Sequence, residues 1–163
     1  MSPDALTTLA TLVGARLHAE RMLLATAESC TGGWVAQALT AIAGSSGWFE
    51  RGFVTYSNAA KMEMLHVKAN TLQAHGAVSE QVAGEMAVGA LAHSHAQLAV
   101  AVTGVAGPGG GSPDKPVGTV CFAWARTNRK VTAVTHHFSG DRENVRRQSV
   151  IAALQGVLDL LEN

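Results

Sequence analysis

The chain has 163 residues, 47% of them hydrophobic and only 15% charged, and twelve Lys+Arg balance twelve Asp+Glu to a formal net charge of zero. That length suits one domain with its own core, the neutral balance gives no general attraction to nucleic acid or an anionic membrane, and no apolar run approaches the ~20 residues of a membrane span. No signal-peptide pattern opens the chain and its two cysteines fit neither zinc spacing nor a disulfide framework, so the expected setting is the cytoplasm; the low charge points to a homodimer or higher homo-oligomer.

Ser2 reads as the cap and Pro3 as the first residue of an amphipathic helix over 3–20, with Leu6, Leu9, Val13 and Leu17 on one face. "MLLATA" (22–27) reads as a short buried strand, the chain turns at Ser29, and 33–41 follows as a helix with small residues inward. A second strand is expected over 49–57, then a short helix capped by Asn58 with Lys61 in its first turn. Ser79 caps a longer helix over about 80–95 carrying Val82, Met86 and Ala90 on one side, and "QLAVAVT" (97–103) has the composition of a central strand. The glycine- and proline-rich "GVAGPGGGSPDKPVG" (104–118) reads as a loop. Residues 117–125 and 130–138, separated by "RTNR", read as an antiparallel hairpin. A long final helix closes the chain, with Val145, Ser149, Ala152, Gly156 and Leu160 along one stripe.

This order predicts one α/β domain over 1–163: three α/β/α layers around a mixed sheet of about five strands. Ligands of such sheets bind beyond the carboxyl ends of the parallel strands, which puts Ser29 and Thr103 on one rim.

"TAESCTGGW" (26–34) carries the first chemical signal. Ser29 stands where a strand hands over to a helix, so the N–H groups of Thr31, Gly32 and Gly33 are expected to converge on an oxyanion or a phosphate, although a serine there also serves as a plain cap. Cys30 is the rival nucleophile, because a helix N-terminus lowers a thiol pKa, but no histidine lies near it in sequence and it reads as a packing residue. A serine hydroxyl needs a base. Of four lysines, Lys61 is the one in apolar surroundings, between "YSNAA" and "MEML", where burial favours the neutral amine; the competing reading is a solvated surface ammonium.

Tyr56, the only tyrosine, is placed either in a proton relay between Lys61 and Ser29 or as a half-buried ring with its hydroxyl in water. "TGVAGPGGG" (103–111) permits close backbone approach to a ligand but lacks the lysine and hydroxyl residue of a phosphate loop. Arg142, in the first turn of the last helix, opposes the macrodipole, and a bound anion would reverse that cost. With Arg146 one turn on, it is a candidate for a phosphate or carboxylate. No histidine cluster has metal-ligand spacing, so neither metal nor cofactor is expected.

"AESCTGG", "YSNAAK", "AVTGVAGPGGG" and "GDRENVR", in that order, together resemble the CinA C-terminal domain family over roughly residues 5–160. The resemblance implies a serine amidohydrolase whose dyad matches Ser29 and Lys61, with Tyr56 as a third member. Its substrate would be nicotinamide mononucleotide, hydrolysed to nicotinate mononucleotide and ammonia in pyridine nucleotide recycling. Thr103, the loop from Gly104 through Gly107, and Arg142 would then hold the ribose phosphate. Many relatives carry a further N-terminal domain for which this chain has no room, so a stand-alone form is expected. Two other readings stay open: a non-catalytic nucleotide-binding module of a competence or DNA-damage response, and hydrolysis of a different pyridine or nucleoside substrate.

Overall fold

Five strands in the order β2-β1-β3-β4-β5 form the middle layer of the molecule. The structure, a computed structural model, describes residues 4–162. In chain order the elements are α1 (Ala5–Glu20), β1 (Leu24–Glu28), α2 (Trp34–Thr40), a 3-10 turn (Ser45–Gly47), β2 (Phe49–Val54), α3 (Asn58–Leu65), α4 (Ala69–His75), α5 (Glu80–Ala92), β3 (Leu98–Gly104), β4 (Thr119–Arg126), β5 (Thr132–His137) and α6 (Arg142–Leu161). β1 pairs in parallel with both β2 and β3, whereas β4 runs antiparallel to β3 and to β5, so the sheet is mixed as the sequence pattern implies.

Side-chain size alternates along the central strands and decides which helices go where. Leu98, Val100 and Val102 of β3 share one face with Leu24 of β1 and with Val120, Phe122 and Trp124 of β4; α1, α2 and α6 cover this face. The opposite face is nearly all alanine, from Ala25 and Ala27 through Ala99 and Ala101 to Ala123 and Ala125, and it meets α5 through Val82, Ala83, Met86, Ala87 and Ala90. Short side chains on that face let a helix lie close to the strands. Leu65 of α3 and Leu72 of α4 complete the same cluster.

Several local expectations need correction. Ser2 and Pro3 lie outside the described residues, and α1 is capped by Asp4, whose Oδ1 accepts from the Thr7 N–H at 2.9 Å. Asn58 is the first helical residue of α3 rather than its cap; Ser57 Oγ does that work, accepting from the Ala60 N–H at 3.0 Å. α4 was not foreseen because it has no side-chain cap and buries only Leu72. On α6 the inward face runs through Val145, Ser149, Val150, Ala153, Leu154, Val157, Leu158 and Leu161. Ala152, Gly156 and Leu160 instead lie to one side, beside the Trp124 ring, where the missing side chain of Gly156 makes room for the indole.

The parallel register aligns Glu28 with Val54 and with Val102, so the chain leaves β1, β2 and β3 at one edge. Ser29, Thr55 and Thr103 therefore share a rim. α3 reaches it by packing on α5, where Gly89 passes directly against the Leu65 carbonyl, and a Cβ there would collide with that backbone. Gly89→Ala in a free helix would gain about 1 kcal/mol; here the collision reverses the sign, and thermal unfolding is expected to show a loss of roughly 1–3 kcal/mol.

Candidate active site

Ser29 is the first residue beyond β1, and its N–H donates to the Val102 carbonyl at 2.9 Å, so the sheet itself fixes the serine backbone. Its side chain is 8% exposed and lines a cleft of ≈ 320 Å³ between the strand ends, α3, the glycine-rich loop and the start of α6. Lys61, on α3, is 1% exposed. Its Nζ stands 3.0 Å from Ser29 Oγ and 3.0 Å from the Thr55 carbonyl oxygen. Among the described residues no carboxylate pairs with it. Burial without a counter-charge penalises the ammonium, and the Lys61 pKa lies below its ordinary value of 10.5.

The turn after Ser29 differs from the expected anion nest. Gly32 (φ 58°) and Gly33 (φ 104°) adopt the left-handed conformation that only glycine takes without strain. The Gly32 N–H donates to the Ser29 carbonyl at 2.9 Å. The buried Glu28 carboxylate accepts from the Thr31 hydroxyl at 2.6 Å, from the N–H of Gly33 at 3.2 Å and of Val35 at 2.9 Å through Oε1, and from the Ala36 N–H at 3.0 Å through Oε2. The N-terminus of α2 is thus closed by an internal anion. Of the three expected donors, Gly32 and Gly33 are consumed inside the protein; the N–H of Thr31, like that of Cys30, has no partner among the described residues.

Cys30 is buried in the core, and desolvation pushes its thiol up to about 12. A thiol held so far from ionisation does not compete with Ser29 as nucleophile. Tyr56 is 62% exposed and its hydroxyl accepts from Arg142 Nη2 at 3.2 Å. Lys61 meets Ser29 directly, and the Tyr56 hydroxyl, one arm of the relay considered from the sequence, is engaged with Arg142. Arg142 also donates from Nη1 to the Gly107 carbonyl at 2.7 Å, so Tyr56, Arg142 and the glycine-rich loop close one side of the cleft. Gly107 (φ 86°) and Gly104, whose Cβ position would fall 2.9 Å from the Thr119 carbonyl, are needed for the path of that loop. The Thr103 hydroxyl donates to the Ala77 carbonyl at 2.9 Å, which ties β3 to the approach to α5.

Arg146 does not join Arg142. Its Nε donates to the Cys30 carbonyl and its Nη2 to the Thr31 carbonyl, both at 3.1 Å, and the guanidinium lies 5.5 Å over the Trp34 ring. Among the described residues no three His, Cys, Asp or Glu side chains gather as metal ligands.

A serine hydroxyl 3.0 Å from a buried amine whose pKa is lowered by burial is an arrangement in which a base stands within reach of the serine proton. Residues 6–161 match the family described as the CinA C-terminal domain. The chain belongs to the CinA C-terminal domain family. It is 55% identical over 155 residues to "Nicotinamide-nucleotide amidohydrolase PncC" of Escherichia coli (strain K12), a match covering 95% of this chain and 94% of the relative. A protein of the same name from Pseudomonas putida is 55% identical over 157 residues, covering 96% and 98%. The crystal structure of competence/damage inducible protein CihA from Agrobacterium tumefaciens superposes with a TM-score of 0.95 at 46% identity, covering 100% of this chain and 99% of that one.

Three contributors to this CinA-family site were missed in the sequence: Glu28, the Thr55 carbonyl and the carbonyl contacts of Arg146. Only Glu28 left a trace there, as an acid ending an apolar strand just before a helix with no capping side chain of its own. The state of Cys30 is open to a direct check. At pH 8 iodoacetamide is expected to modify Cys30 of the folded protein at least ~100-fold more slowly than in the denatured chain, and Cys30→Ala should keep hydrolytic activity within about threefold.

Proposed function

We propose that this chain is a serine amidohydrolase that cleaves the carboxamide of nicotinamide mononucleotide, with Ser29 as nucleophile and Lys61 as general base. The observation that carries the reading is the 3.0 Å contact between Ser29 Oγ and the Nζ of a buried lysine whose pKa is lowered by desolvation. The relatives' name, nicotinamide-nucleotide amidohydrolase, supports the choice of substrate.

As Oγ attacks the carboxamide carbon, its proton passes to neutral Lys61, and the oxygen that gains charge is met by the N–H of Cys30, the residue that follows Ser29 on the cleft wall. Collapse of the tetrahedral intermediate breaks the C–N bond while Lys61 returns the proton to the departing nitrogen, releasing ammonia. Water then attacks the acyl-enzyme, Lys61 again takes a proton, and the carboxylate product leaves with Ser29 restored. Arg142 uses two of its five N–H donors within the protein, so its positive charge at the cleft edge remains available to the ribose phosphate. Thr103, Gly104 and Gly107 act by shaping the loop against which that phosphate rests. No cofactor takes part. The same reading assigns the protein to the cytoplasm and makes it a homo-oligomer, the latter supported by zero formal net charge and by exposed Leu12, Val54, Met64 and Val88.

Ammonia release from nicotinamide mononucleotide tests the proposal. Ser29→Ala and Lys61→Met are each expected to lower kcat by roughly 10⁴-fold, with Ser29→Ala unfolding at nearly the wild-type temperature. Wild-type turnover by Ser29→Ala would overturn the serine mechanism, and tight binding of the nucleotide by wild type without ammonia release would favour a binding module.

A further inference from the structure

β5 ends the sheet on one side, and its composition leaves that edge open. The opposite edge, β2, carries the Glu50–Arg51 ion pair, whereas β5 (Thr132–His137) holds no Lys, Arg, Asp, Glu or Pro to discourage a further strand. Its backbone groups face outward in a fixed pattern. The Thr119 carbonyl accepts from Val105 on the β3 side and the Gly118 carbonyl accepts from Phe138, both at 2.8 Å, so by antiparallel alternation Thr132, Val134 and His136 turn their peptide groups to β4. Those of Ala133, Thr135 and His137 face away, with no backbone partner among the described residues. We propose that β5 is the edge through which this chain self-associates: β5 of a second copy pairs with it antiparallel about a two-fold axis at Val134, and the sheet runs on through both molecules. This gives a surface to the homo-oligomer reading above, on which it rests.

Both faces beside the edge have room for such a strand. On the α6 side a groove of ≈ 420 Å³ runs between Thr132, Val134 and His136 of β5 and the small residues Ala152 and Gly156 of α6. On the α5 side a second groove, of ≈ 530 Å³, runs from Val131 and Ala133 to Gly84 and the exposed Val88. Side chains of an added strand alternate between the two faces, so a single strand reaches both grooves. Directly opposed residues of an antiparallel pair lie on the same face, which requires a two-fold axis through a residue rather than between residues. Charge selects the occupant and the centre. α6 runs back along β5 until its Leu160 carbonyl accepts from Arg126 at the end of β4, so the α6-side groove has Asp159 at its Thr132 end and His136 at the other. A copy turned by the two-fold axis presents the same groove reversed, and a centre at Val134 sets its His136 opposite Thr132, beside Asp159. Asp159 Oδ1 accepts from Gln155 at 3.1 Å, and a carboxylate has lone pairs for a further donor. An imidazole keeps an N–H in either protonation state, and symmetry forms the pair twice. A second copy carries this reversed order by symmetry; no other partner has to.

Sedimentation equilibrium of the full chain across the micromolar range tests this on wild type, Val134→Lys, Ala133→Pro and Asp159→Lys. Wild type is expected to be a dimer or a multiple of one. Val134→Lys sets like charges against each other at the axis and should weaken dimerisation at least ~10-fold. Ala133→Pro removes an outward N–H and none of the bonds to β4, and should act in the same direction; if it does not fold, the other variants decide. Asp159→Lys should weaken the dimer roughly 10-fold. A further variant, Val134→Cys, reports the register. The pair at the axis is not hydrogen-bonded and its side chains are close, so oxidised glutathione should link two copies of this variant by a disulfide. Wild type, whose Cys30 and Cys121 are buried, should stay unlinked. A Val134→Lys dimer as tight as wild type, or Val134→Cys copies that do not link, overturns the proposal and leaves the homo-oligomer reading to another surface. An Asp159→Lys dimer as tight as wild type overturns the pairing with His136 that selects this centre. A wild type that is monomeric throughout overturns both the proposal and the homo-oligomer reading.

Discussion

The site depends on one interaction: the amine of Lys61 buried against a hydroxyl and a carbonyl, with no carboxylate among the described residues to pair with it. A carboxylate at that distance would stabilise the ammonium and remove the base. Its absence leaves burial to work against the ammonium, so the fold lowers the Lys61 pKa. The sign follows by linkage. Between the lowered folded pKa and the unfolded value near 10.5 the unfolded chain binds more protons, so stability rises with pH across that window and the deficit is fully present below it. A base of this kind is a stability cost accepted at a functional site.

The rest of the molecule places that amine. β2 ends at Val54, the Thr55 carbonyl is turned toward Lys61, and Ser57 starts α3 so that Lys61 falls on its inner side. α3 is pressed home by the contact between Gly89 and the Leu65 backbone, and α5 is itself brought close by the alanine face of the sheet. Around Ser29 the two ion-bearing side chains divide the backbone between them. Glu28 takes the donors at the start of α2, and Arg146 takes the carbonyls of the turn. Both charges act on peptide groups, which lets them order the turn without placing a counter-ion beside Lys61.

Much of this was legible in residue types and periods. Alternation of Leu or Val with Ala in "LAVAV" marks a strand covered on both faces; a serine at the end of one strand and a lysine in an apolar context are separate candidates there, and the resemblance to the CinA C-terminal domain family is what joins them into a dyad. What stayed hidden was direction. Gly32 and Gly33 read as donors in a loop, yet their value is conformational, because Glu28 or the Ser29 carbonyl takes their N–H groups. Tyr56 lies five residues from Lys61 in sequence, but its ring turns outward to Arg142. Arg142 and Arg146 share one helix face by spacing, yet one reaches the glycine-rich loop and the other the turn after β1. α4 offers neither a capping side chain nor a strong apolar face, so tertiary contact at Leu72 carries it.

The most direct test is the titration of Lys61 itself, followed by NMR in protein labelled at the lysine Cε and assigned by comparison with Lys61→Met. A midpoint well below 10.5 is expected, with kcat/KM for nicotinamide mononucleotide rising with pH through the same midpoint as the amine loses its proton. An ammonium that persists to pH 10.5 or above, in a protein already active near neutrality, would contradict the role of Lys61 as the base.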